Sequence, residues 1–187
     1  FIHNGIDIKN IKLNKKFLKK NNKLKLLWVG RIDHQKNHEM LLRVLEILFS
    51  KNLKFEVDVY SSICPDKIKS IHANYYPWAK DIPYENYDLF LNTSNYEGFG
   101  RTLIESLSNG TPVISTDCNF GPSEILTLAC GVLVNINSAR EMSNAIIEWN
   151  DLSFNEKLRM RQSAIVRSKS FDIEKMISQY KKVFNLF

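Results

Sequence analysis

Cysteine is sparse: Cys64, Cys118 and Cys130 stand at wide, irregular spacing. An odd, scattered set fits neither a disulfide framework nor a metal-ligand pattern. The expectation is three reduced, mostly buried thiols in a cytoplasmic protein. Long apolar runs are also missing, and none approaches the ~20 residues needed to span a bilayer. No secretory leader is expected from the residues at its start. No Asp-x-Asp pair occurs, and no carboxylate completes a site with His34 and His38, so no catalytic metal is expected. Internal repeats are absent. The first residue is Phe1 rather than Met, which leads us to expect a fragment.

What remains is an ordinary globular mixture, 44% hydrophobic and 25% charged over 187 residues, enough for one domain with a real core. The formal charge of +6 is uneven. Lys9, Lys12, Lys15, Lys16, Lys19, Lys20, Lys23 and Lys25 form a block without a single acid, and outside it acids slightly outnumber bases. Such a block is either a solvated loop or a patch attracted to an anionic membrane, at about 1 kcal/mol per well-placed lysine. Only Phe17 interleaves the lysines, so base stacking is not provided for and nucleic acid is not expected as a partner.

Strands and helices alternate along the chain. Leu24 to Val29 is nearly continuous apolar sequence ending at Gly30, as in a buried parallel strand. Asn37 offers an N-cap to a helix from His38 to about Ser50, with Met40, Leu41, Val44, Leu45 and Leu48 on one face. Phe55–Tyr60, Tyr87–Asn92, Pro112–Thr116 and Gly131–Val134 read as further strands. Arg101–Ser108 reads as a helix stopped at Gly110. From Ser138 the tail is helical, with Trp149, Leu152 and Leu158 as packing residues. The pattern predicts an α/β fold, a Rossmann-like parallel sheet with helices on both faces. In such sheets ligands bind beyond the carboxyl ends of the strands.

Two segments at that edge carry chemistry. Glu97-Gly98-Phe99-Gly100-Arg101-Thr102-Leu103-Ile104-Glu105 follows a strand and enters a helix. Its glycines admit close backbone approach, and the unpaired amides of the first helical turn favour a phosphate. Glu97 and Glu105 would bracket that phosphate, each able to accept two hydroxyl hydrogens of a sugar or ribose diol. The plainer alternative is a glycine turn with two surface glutamates. A glycosidase acid pair is disfavoured, because its carboxyls must face one bond at ~5–9 Å. The second segment, Gly30-Arg31-Ile32-Asp33-His34-Gln35-Lys36, puts two cations after the first strand. Cations there suit a diphosphate leaving group, although a solvated loop with an exposed pair of bases would look the same.

Together these segments resemble glycosyltransferase family 4, retaining enzymes with the GT-B fold. The family's glutamate pair matches Glu97 and Glu105, and its Gly-Arg…Lys loop matches Gly30, Arg31 and Lys36. Gly110-Thr111-Pro112-Val113-Ile114 and Gly121-Pro122-Ser123-Glu124-Ile125 resemble its following strand and loop. Phe1-Ile2-His3-Asn4-Gly5-Ile6-Asp7 looks like the segment entering the C-terminal domain.

The resemblance implies the C-terminal, donor-binding domain of a GT-B enzyme, with residues 1–23 as interdomain segment and lysine-rich loop and 24–187 as the nucleotide-sugar domain. The N-terminal acceptor domain is its missing partner, and the domain alone is expected to be inactive. It further implies transfer from a UDP-sugar, with retention and without a metal or other cofactor. Arg31 and Lys36 would bind the diphosphate and Glu97 the donor sugar. Gly30, Gly98, Phe99, Gly100, Arg101 and Thr102 would line the donor site, and Glu105 would hold the ribose. Tyr60-Ser61-Ser62 departs from the family's Gly-x-Gly turn, and Tyr76-Pro77-Trp78 lacks its glycine. Ser61 and Trp78 are therefore only weak candidates for the base pocket. Implied acceptors are lipid-linked or polysaccharide chains of O-antigen or capsule assembly, reached from the cytoplasmic face of the membrane. The rival readings are an epimerase or phosphorylase on this fold, and a non-enzymatic nucleotide- or membrane-docking module.

Overall fold

Apolar side chains on both sides of one strand call for helices on both faces of its sheet, and β1 (Leu24–Val29) meets this demand. Leu24, Leu26 and Trp28 point into one hydrophobic layer, Leu27 and Val29 into the other. The computed structural model describes residues 2–8, 23–63 and 73–185. Within them β2 (Phe55–Ser61), β3 (Ala73–Pro77), β4 (Leu89–Asn92), β5 (Val113–Thr116) and β6 (Gly131–Val134) join β1 in one sheet of order β3-β2-β1-β4-β5-β6. Every neighbouring pair is parallel. The chain order reverses between β1 and β4, which makes the crevice beyond their carboxyl ends the topological switch point.

Helix α1 (His38–Ser50) starts where its cap predicts: Asn37 sits in the left-handed region, φ 46°, and its side chain accepts the Met40 N–H. Its apolar stripe packs against α4 (Ala139–Asp151), around Met142, Ile146 and Trp149. On the opposite face α2 (Arg101–Ser108) buries Leu103, Ile104 and Leu107, beside Ala164 from α5 (Phe154–Ser168). A short helix, α3 (Pro122–Ile125), lies where sequence reading expects only a loop, and α6 (Ile173–Val183) ends the described fold. Leu152 and Leu158 are only half-buried.

One strand begins later than its apolar pattern suggests. β4 starts at Leu89 rather than Tyr87, because Tyr84–Asn86 forms a 3₁₀ turn closed by the Tyr87 N–H on the Tyr84 carbonyl. Arg161 of α5 secures this turn. It is 1% exposed and donates to the carbonyls of Tyr87 (2.7 Å) and Glu85 (3.1 Å). The leading segment also docks on the core: Ile6 is buried, donates to the Phe171 carbonyl and accepts from Ile173. Most of the lysine block, Phe17 and Cys64 fall outside the described residues. Cys118 and Cys130 are buried free thiols. Among the described residues no helix is long and apolar enough to cross a membrane.

Candidate functional site

The loop after β1 is organised by Asp33. One carboxylate oxygen accepts the Lys36 N–H (2.9 Å), and the other accepts from Arg31 Nε (2.9 Å). A second Arg31 nitrogen donates to Gln35 Oε1 (2.8 Å), so an exposed guanidinium is held in one direction. At Gly30 an added Cβ would lie 3.0 Å from both Lys36 Cγ and the Trp28 ring. Glycine is what lets the lysine stem pass.

That stem crosses to the loop after β4. Lys36 Nζ donates to Glu97 Oε1 at 2.6 Å, with the two side chains 14% and 6% exposed. The same oxygen lies 2.7 Å from Ser94 Oγ, whose residue carbonyl accepts the Thr116 hydroxyl at 2.6 Å. Further bonds stitch the loops together. Trp28 Nε1 donates to Thr93 Oγ1, which donates to the Lys36 carbonyl. Asn95 donates its N–H to the Gln35 carbonyl and its Nδ2 to the His34 carbonyl. The two predicted segments therefore converge at the switch point, and Lys36 reaches the residue three places before Gly100. Neither cation stands alone. Each is already paired with an acid, Arg31 with Asp33 and Lys36 with Glu97.

Helix α2 starts at Gly100, whose φ of 92° requires glycine, and no side chain caps its first turn. Phe99 is wedged between the His3 and Phe171 rings. A Cβ on Gly121 would sit 1.8 Å from the Phe99 carbonyl oxygen. Gly98, by contrast, has open space around the position of a Cβ; packing does not demand glycine there.

Beyond the helix start lies a cleft of about 440 Å³, lined by Asp7, Lys80, Tyr84, Arg101, Glu105 and Asn109 among others. Thr102 is half-buried in the first turn of α2 and does not line this cleft. The Tyr84 hydroxyl donates to Glu105 Oε2 at 3.0 Å. Burial, and then the Glu105 charge, hold that phenol well above its usual pKa, so it remains a donor. Neither suggested base-pocket residue reaches this cleft. Ser61 is fully buried and Trp78 is 66% exposed. Among the described residues no three His, Cys, Asp or Glu side chains gather closely enough to hold a metal ion.

Sequence reading missed Asp33, Tyr84, Ser94, Asn95 and Thr116. A signal existed for some of them. Asn92-Thr93-Ser94-Asn95 is a polar run directly after apolar Leu89-Phe90-Leu91, an unusual burst of hydroxyl and amide groups at a buried strand's end.

A sequence model for glycosyl transferases group 1 matches residues 23–151. The chain is 29% identical over 181 residues to a Klebsiella pneumoniae protein named as an uncharacterized 41.2 kDa protein in the cps region, covering 88% of this chain and 47% of that one. It is 26% identical to the poly(ribitol-phosphate) alpha-N-acetylglucosaminyltransferase of Staphylococcus aureus, over 98% of this chain and 41% of the relative. The solved structure of Anabaena HepE in complex with UDP-glucose superposes with a TM-score of 0.82 at 19% identity, over all of this chain and 57% of that one. This last likeness shows the fold, the Rossmann-like half of a GT-B architecture. The chain spans about half the length of the relatives it matches or less.

Proposed function

The chain belongs to the family of glycosyl transferases group 1, and from that premise we propose that it binds the nucleoside-diphosphate sugar, a UDP-sugar, from which a larger enzyme transfers the sugar with retention. The observation that carries the reading is the Lys36–Glu97 contact of 2.6 Å. It brings a cationic loop onto the acidic, glycine-containing start of α2 at the switch point of the sheet, where an open α/β fold binds ligands.

The chemistry follows from the charges. Breaking the bond between the anomeric carbon and the diphosphate leaves negative charge on the β-phosphate. Arg31, Lys36 and the amides at Gly98 to Thr102 are the donors that would meet it. An acceptor hydroxyl bonds to the anomeric carbon, and its proton leaves with the released diphosphate. Glu97 would orient the sugar through its second oxygen, and Glu105 the ribose. These cations and amides supply the charge, so the reading requires no divalent metal, and a chelator should leave activity unchanged. The upstream acceptor domain, a lipid-linked or polysaccharide acceptor in surface polysaccharide assembly, and a place at the cytoplasmic face of the membrane belong to the same proposal. The family match favours transfer over an epimerase, a phosphorylase or a docking module.

Titration of this chain with UDP and GDP, followed by backbone amide NMR, tests the reading. UDP should move the Lys36 and Gly98–Thr102 amides. In the complete protein Arg31→Ala or Lys36→Ala should lower turnover by about 100-fold or more. Unmoved amides in a folded chain, or near-normal turnover in both variants, would refute it.

A further inference from the structure

We infer that Tyr84 is a positioning residue: its hydroxyl fixes the Glu105 carboxylate in the orientation that receives the ribose diol of the nucleotide. The inference rests on the donor-binding reading above and names a residue that the donor motifs do not contain.

The geometry is a chain of fixed parts. Tyr84 is 3% exposed, with its ring edge-on to Phe90 at 5.7 Å. Its carbonyl accepts the Thr111 hydroxyl at 2.7 Å. The 3₁₀ turn it begins is held from the other side by buried Arg161, bonded to the carbonyls of Glu85 and Tyr87. The phenol therefore has little freedom, and it spends its proton on Glu105 Oε2. Glu105 is itself only half-buried and lines the cleft with Arg101, Asp7 and Lys80. A carboxylate at the edge of a cleft would otherwise rotate about its side-chain torsions. One oxygen tied to a rigid phenol turns the other lone pairs into a defined acceptor for two neighbouring hydroxyls. Because burial keeps the phenol protonated, the arrangement holds across the physiological pH range.

A merely structural tyrosine would weaken every ligand of the cleft alike, so the test compares ligands with and without the diol. This chain and its Tyr84→Phe variant, which keeps the ring and loses only the hydroxyl, are titrated calorimetrically with UDP and with 2′,3′-dideoxy-UDP. We expect Tyr84→Phe to weaken UDP by about tenfold, the scale of one hydrogen bond to a charged group, and the dideoxy ligand by less than about twofold. In a Glu105→Ala background the same substitution should change UDP affinity by less than about twofold, because residues acting through one another are non-additive. Equal losses for both ligands, or an undiminished effect without Glu105, would overturn the role of Tyr84 while leaving donor binding intact. Failure of the folded parent chain to bind UDP at all would overturn the donor-binding reading, and this inference with it.

Discussion

Lys36→Met gives a stability test that needs no substrate. In the free protein Lys36 and Glu97 form a 2.6 Å ion pair, 14% and 6% exposed. Removing one partner of a fully buried pair costs about 3–5 kcal/mol, because the other charge is left uncompensated. Two features of this site reduce the figure. The lysine end is not fully dry, and Ser94 still stands 2.7 Å from the same Glu97 oxygen, so we expect a loss of roughly 2–3 kcal/mol. For a domain of this size that corresponds to a fall in Tm of about 5–10 °C. Glu97→Gln should cost only about 1 kcal/mol, since the lysine stem can turn its ammonium toward water. The double variant carries neither charge and should recover to within about 1 kcal/mol of the parent. Thermal and urea unfolding of the four proteins, followed by circular dichroism, gives the cycle. A Lys36→Met protein as stable as the parent, or a double variant no better than Lys36→Met, would show that the pair is not a buried electrostatic unit.

Four further outcomes are expected. Gly121→Ala meets both a φ of 92° and the Phe99 carbonyl at 1.8 Å, so it should lose roughly 3 kcal/mol or more in denaturant unfolding; Gly98→Ala, with open space at its Cβ, should keep the parent Tm yet bind UDP more weakly by titration. Ser94→Ala removes a donor 2.7 Å from Glu97 and should lower turnover of the complete protein by about 3- to 10-fold with little change in KM; unchanged turnover would free Glu97 from this support. Burial raises the Asp88 carboxyl above its ordinary range, against the lowering effects of the Lys25 N–H and of the Arg161 and Lys157 charges. A raised folded pKa means a contribution that is full at low pH and lost as pH climbs through it. Asp88→Asn should therefore unfold at a higher temperature than the parent at pH 7, with the gap closing as pH falls toward the ordinary carboxyl value of about 3.9.

What was legible in the sequence is what local physics dictates. The start of α1 follows from one capping side chain and a five-residue apolar stripe, all within about three turns of Asn37. The Gly-Arg…Lys spacing and the start of α2 were legible because a strand end, a glycine and a helix cap are neighbours in the chain. The partner of Lys36 was not, since Glu97 lies 61 positions away and either cation reads equally well as solvated. Arg161 shows the limit most clearly. A charged residue in a polar helix reads as surface, yet here it is among the most buried side chains because two backbone carbonyls of a distant turn need its donors. The cleft wall depends on that turn. Reading outward from Ser61 and Trp78 could not find it, because neither residue participates in the contacts that build it.

The pairing of charges bears on how an anion could be attracted at all. Arg31 and Lys36 are each in direct contact with a carboxylate, those of Asp33 and Glu97, while Arg101 and Glu105 both line the cleft beyond the start of α2. On their own, the two cations after β1 are therefore largely offset before any anion such as the proposed diphosphate approaches. A positive field that no carboxylate contact offsets comes from the uncapped amides at the start of α2, worth about half an elementary charge. In the proposed reading the helix start would therefore recruit the diphosphate and fix its place, with Arg31 and Lys36 adding donors around it.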